Sequence, residues 1–194
     1  MDPMALNITG DTAADELLGN DAFALLTGML LDQQVPMESA FAGPEKIRQR
    51  IGTIDPAAIA DYDPEAFVDV FKQTPAVHRF PGSMAGRVQA LAVAVRDEWG
   101  DDASAIWTQG DPDGAEVLRR LKALPGFGEQ KAKIFLALLG KQLGLKASGW
   151  REAAGHYGED GVYRSVADIV DPESLVRVRA TKQAAKAAAK DAKS

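Results

Sequence analysis

The chain has 194 residues, of which 46% are hydrophobic and 26% charged, with a formal net charge of −6; these are the proportions of a globular protein with room for one large domain or two small lobes. It contains no cysteine and only two histidines, His78 and His156, which excludes disulfides, thiolate nucleophiles and cysteine-bound zinc or iron–sulfur clusters, and leaves too few imidazoles for a His-built metal site. No apolar run has the length of a membrane span and no signal peptide opens the sequence, so neither a membrane contact, a metal nor a cofactor is expected, and the expected setting is cytoplasmic.

The first ten residues carry little pattern. A short amphipathic helix is predicted over 12–18, ended by Gly19-Asn20. Asp21 has the character of an N-cap for 22–31, which is apolar nearly all round and therefore expected to be buried. That segment runs into Asp32-Gln33-Gln34-Val35-Pro36, where Pro36 can start the next helix, 37–51, with a break or kink expected at Gly43-Pro44. Asp55-Pro56 and Asp63-Pro64 are N-cap-plus-proline starts for two short helices. A connector from Pro75 to Pro81 leads to a long amphipathic helix over 83–99, with Val88, Leu91, Ala92 and Val95 facing inward.

A further short helix is expected over 103–107, followed by a helix opened at Asp111-Pro112 and striped by Val117, Leu118, Leu121 and Leu124. Ala132, Phe135, Leu136 and Leu139 repeat the helical period after the next turn. Beyond Gly140 the chain is looser, with a turn or helix near 150–154, a Gly-rich loop over 155–161, and closing helices over 163–169 and from 173 to about 190. No stretch alternates with the period of a strand, and the predicted class is all-α.

Between the two striped helices lies Leu124-Pro125-Gly126-Phe127-Gly128. The glycines permit positive φ and close backbone approach, and Phe127 can pin the turn to the core. Such a hairpin directs its own amides and those of the following helix outward, an arrangement that holds phosphate through backbone N–H groups and the helix dipole. An ordinary αα-turn with a glycine cap is the alternative. Upstream, the adjacent Gln33 and Gln34 at the end of a buried helix are a poor choice for packing alone, whereas their amides can donate and accept at base edges. The net charge disfavours a nucleic-acid partner until its distribution is considered. From Val176 to Ser194 there are six Lys/Arg against one Asp, +5 against −11 for the rest of the chain, and the local field decides binding. The Ala/Lys-rich last dozen residues have high helix propensity but no apolar face, as expected of a fraying basic tail.

Together, the Gln-rich turn and the hairpin followed by Ala132 resemble the helix-hairpin-helix DNA glycosylase superfamily, which includes endonuclease III and the adenine and alkyladenine glycosylases. Met84-Ala85-Gly86-Arg87-Val88-Gln89-Ala90-Leu91 is similar to the family helix whose basic residue leads an inward-facing seam. The resemblance implies two helical lobes with a DNA-binding cleft between them, formed by a single domain over 1–180: one lobe from both chain ends, the other the continuous middle at about 36–122, with 181–194 as the basic tail. It implies a monomer that binds damaged double-stranded DNA, flips a nucleotide and cuts its base–sugar bond. DNA contacts then fall to Gln33, Gln34, Leu124, Gly126, Phe127, Gly128, Gln130 and Lys131.

The chain departs from that pattern at the catalytic positions and lacks the family's iron–sulfur loop. Bifunctional members carry a Schiff-base Lys two residues after the second hairpin Gly; here that residue is Gln130, and Lys131 is about 100° further round the helix. The family Asp falls on Ser148. Glu152 is the nearest carboxylate and the candidate replacement, Asp32 a further one, with Trp150 or Tyr157 available to stack on a flipped base. The expectation is a monofunctional glycosylase or a divergent relative; a catalytically silent binder of distorted DNA is the alternative.

Overall fold

The computed structural model describes residues 6–193. Its α-helices are α1 (Thr12–Asn20), α2 (Ala22–Leu31), α3 (Met37–Ile51), α4 (Pro56–Asp61), α5 (Pro64–Lys72), α6 (Pro81–Trp99), α7 (Ala105–Thr108), α8 (Gly114–Lys122), α9 (Glu129–Gln142), α10 (Trp150–Ala153) and α11 (Pro172–Ala192). Two 3-10 turns, Gly155–Gly158 and Val166–Asp168, separate α10 from α11. Among the described residues there is no strand, and the fold is all-α as expected. The first five residues and the last lie outside the described range, including the end of the expected tail.

Aspartate is the recurrent helix start. Asp11, Asp21, Asp55, Asp63, Asp113 and Asp171 each accept from a backbone amide three residues on, at 2.7–3.2 Å, satisfying one of the donors that a helix N-terminus leaves open. Pro at the first turn of α4, α5 and α11 presets φ. α2 is the central post, with nine of its ten residues buried. α3 packs along it and α1 against both; α4 and α5 lie on α6, while α8, α9, α10 and the first 3-10 turn form a second packed group. A continuous hydrophobic core joins them, from Leu25 and Phe41 through Phe67 and Leu91 to Phe135.

Three expectations change. α3 runs through Gly43-Pro44 as one helix, so the expected break is absent, and Gly43 lets α2 approach closely, since a Cβ there would lie 2.6 Å from Leu31. α8 starts at Gly114 under Asp113, since Asp111 takes a left-handed φ of 49°. Residues 163–169 form only a short 3-10 turn: the Asp168 carboxylate draws in the amides of Arg164 and Ser165, and Ser165 caps Ala167, closing the turn on itself. The expected tail remains helical to Ala192, although only Ser174 and Val178 of α11 are fully buried.

Asp168 also holds Lys141 of α9 at 2.6 Å, with both side chains nearly inaccessible to solvent. Removing one partner of such a pair leaves a buried charge uncompensated, which costs roughly 3–5 kcal/mol. Asp168→Ala should therefore lower the urea unfolding midpoint steeply without changing the helical class. A midpoint shift corresponding to less than about 1 kcal/mol would show that Lys141 finds water or another acceptor.

Candidate nucleic-acid interface

The hairpin is built from the core outward. Leu124 and Phe127 are buried, 4% exposed each, and Phe127 meets Phe135 of α9 edge-on with ring centroids 6.2 Å apart. The Phe127 amide donates to the Leu124 carbonyl at 3.1 Å, closing the turn. Gly126 has φ of 83°, and a Cβ on it would lie 2.4 Å from Leu30 Cδ1; this glycine is required both by its left-handed backbone and by its contact with the end of α2. Gly128 differs: its φ of −77° suits any residue, and a Cβ there would meet open space.

Gly128 precedes α9 without a side-chain cap, and among the described residues nothing accepts from the amides of Gly128, Glu129 or Gln130. These donors, at the positive end of a 14-residue helix, lie on the exposed rim of the hairpin, an arrangement chemically suited to an anion. Glu129 opposes an incoming phosphate, but Lys133 and Lys122 stand 3.5 and 3.9 Å from its carboxylate and offset it.

The Gln-rich turn lies against this hairpin. α2 ends in the interior, so its last carbonyls need partners that water cannot supply. Lys131 Nζ donates to Met29 and Leu30 carbonyls at 2.8 Å each, and Gln33 Nε2 donates to Leu30 at 2.9 Å. His78, buried, lies with Nε2 3.1 Å from both the Leu31 and Gln33 carbonyls, while its Nδ1 accepts from the Phe80 amide at 3.0 Å; the neutral Nε2–H tautomer satisfies all three contacts. Burial lowers the His78 pKa, which favours that neutral form. Arg87 donates to Gln33 Oε1 at 3.1 Å.

These bonds divide the two glutamines. Gln33 is consumed in holding the turn, whereas Gln34 is exposed and its backbone is left-handed, φ 59°. Non-glycine residues adopt that conformation at a cost and are enriched at functional sites. Lys131 likewise serves the protein: its ammonium is half-buried beneath the hairpin, and burial brings its pKa down to about 8. The helical-wheel angle that turns it away from the hairpin rim points it at the C-terminal end of α2.

A pocket of about 540 Å³ lies between the turn and the C-terminal part of the chain, lined by Asp32, Gln34, Gln130, His156, Tyr157 and Lys182 among others. Gln130 occupies the rim and donates to Tyr157 Oη at 3.0 Å, and the His156 ring stacks on Tyr157 at 4.1 Å. The Asp32 side chain is only 7% exposed and faces Lys182 Nζ at 3.6 Å. Burial raises its pKa, while Lys182 and then Lys131 pull the other way.

Glu152 is elsewhere. It is exposed on α10 and does not line this pocket. The Ser148 carbonyl accepts from the Gly114 amide at 2.7 Å, so the loop carrying Ser148 is tied to the start of α8. Trp150 packs between α8 and α9, where Cβ atoms on Gly114 and Gly140 would clash with it; of the two aromatic candidates, Tyr157 alone reaches the pocket. Nothing in the local sequence around His78 announces its role, since both carbonyls it touches lie more than forty residues away.

An all-α chain with a glycine hairpin, a free helix N-terminus and a glutamine turn in contact with it defines a helix-hairpin-helix protein. The family description "HhH-GPD superfamily base excision DNA repair protein" matches residues 27–193, and the chain belongs to that superfamily. No curated protein and no solved structure matches the chain.

Proposed function

We propose that this protein is a monofunctional DNA glycosylase that releases a damaged base from duplex DNA, working as a monomer with Asp32 as its catalytic carboxylate. The observation that carries the reading is the position of Asp32, in one pocket with Gln34, Gln130 and Tyr157 and beside the hairpin. The hairpin amides hold a phosphate, Gln34 enters the gap left in the stack, and the flipped nucleotide occupies the pocket, where Tyr157 and His156 offer ring faces. As the bond from the sugar C1′ to the base nitrogen breaks, positive charge develops on the sugar and Asp32 stabilises it. Water forms the new bond to C1′, and its proton balances the departing base.

No step passes through an enzyme amine. Gln130 stands at the family lysine position, and Lys131 is committed to the carbonyls of α2. The test is base release from duplexes carrying deaminated, oxidised or alkylated bases, assayed with borohydride present. Free base with no covalent enzyme–DNA adduct is the expected result. A trapped adduct would replace the monofunctional reading with a lyase. Tight binding to an abasic analogue with no base release from any of these lesions would instead identify a silent binder of distorted duplex.

A further inference from the structure

α11 is held unusually lightly for a helix of 21 residues: it fully buries only Ser174 and Val178, and from Gln183 to Lys193 every residue is exposed. Beyond Val178, the ion pairs of Arg179 with Glu38 and Lys182 with Asp32 tie it to the glutamine turn. Both carboxylates flank the glutamine turn. Lys182 and Lys186 line the Asp32 pocket on one side and, on the other, an adjoining pocket of about 690 Å³ that includes Gln34 and Arg79. The helix therefore passes over the turn that the DNA must reach.

Lys182, Lys186 and Lys190 recur every four residues and form one stripe along the helix. Such a stripe, on a chain whose remaining charge is −9, is complementary to a phosphate backbone. The parked position is also imperfect, since one Glu38 carboxylate oxygen is buried without a hydrogen-bond partner. Lifting the helix would let water reach it.

We infer that α11 is a phosphate-binding arm for duplex DNA, which in the DNA-free protein is parked on Asp32 and Glu38. The inference rests on the reading that duplex binds at the hairpin and glutamine turn. When DNA arrives, Lys182 leaves Asp32 for a phosphate, Lys186 from the same pocket wall joins it on the backbone, and the released counterions drive the exchange. The same movement frees Asp32 from its lysine, so the carboxylate is fully available only once duplex is bound.

The chain has no native cysteine, which allows a direct test in the full-length protein. Glu38→Cys with Arg179→Cys places two thiols at a side-chain contact, to be joined by a short bis-maleimide or capped singly with a mono-maleimide. Binding to a labelled duplex carrying a tetrahydrofuran abasic analogue is measured between 50 and 200 mM salt. The capped protein should bind at least about tenfold more tightly at low salt, and its log–log salt slope should be steeper by about two, one for each transferred lysine. In the otherwise native chain, Lys186→Gln, which leaves the Lys182–Asp32 pair in place, should flatten the slope by about one. Equal affinities and slopes for pinned and capped protein, or an unchanged slope in the lysine variant, overturn the arm and leave duplex binding standing. Failure of the unmodified protein to bind this duplex overturns the arm and the repair reading together.

Discussion

Asp32→Asn should reduce base release by roughly 10²–10³-fold, the loss expected when one preorganised charge facing the reacting centre is removed, while affinity for an abasic duplex is kept. Glu152→Gln should leave base release unchanged, because its side chain is exposed on α10 away from the pocket. The two variants make the same formal change in charge, so net electrostatics cannot account for a difference between them. The pH dependence follows from the environment of Asp32. Burial raises its pKa, and only the anion can stabilise a cationic sugar. Activity should therefore fall on the acid side at a higher pH than an ordinary aspartate would impose. The stability consequence has the opposite sense. For a carboxyl whose pKa is raised by folding, the native state binds more protons than the unfolded one, so its contribution is present at low pH and is lost as the group ionises. Asp32 at neutral pH is thus a cost to the fold, and Asp32→Asn should not lower the unfolding midpoint. A variant that loses activity only in proportion to lost folded protein, or full activity in Asp32→Asn, would remove Asp32 from the chemistry.

Much of this architecture is legible because its determinants are local. Asp-Pro pairs place helix starts, and the apolar period identifies α2 as buried and α9 as the inner helix after the hairpin. The hairpin and the glutamine turn can each be read in isolation, although nearly a hundred residues separate them. Their contact cannot: it depends on Gly126 meeting Leu30 and on Lys131 reaching two carbonyls of α2. A helical wheel gives the direction in which Lys131 leaves α9 but not the helix end that waits there. His78 is hidden for the same reason, as its partners are backbone oxygens, which have no sequence signature. Proximity along the chain to Ser148 does not bring Glu152 to the Asp32 pocket. One helical turn separates it from Ser148, but the hydrogen bond from Gly114 to Ser148 anchors that loop on α8. The 163–169 segment is a competition between helix propensity and side-chain bonds from Asp168 and Ser165, which close a shorter turn.

Gly126→Ala and Gly128→Ala, two residues apart, should fail in different ways. At Gly126 the left-handed φ costs a Cβ-bearing residue about 1–2 kcal/mol, and the clash with Leu30 adds about 1–3 kcal/mol of overpacking. Its effect should appear first in the unfolding midpoint. Gly128 has an ordinary φ and open space for a Cβ. Alanine there loses only the modest preference for glycine over alanine at a helix cap, about 1 kcal/mol, and the protein should remain folded. Its methyl group, however, projects from the rim where the amides of Gly128, Glu129 and Gln130 converge, holding a phosphate away from them. Hydrogen bonds to a charged acceptor contribute roughly 1.5–3 kcal/mol each, so losing one should weaken duplex binding about tenfold or more. The loss should be the same for undamaged and abasic duplex, since the contact is to the backbone and carries no base information. The measurement is anisotropy on both duplexes at one salt concentration, alongside urea unfolding of each variant. Parental affinity in a folded Gly128→Ala protein would mean that the phosphate is held elsewhere, and the hairpin would then be a structural turn beneath the glutamine site.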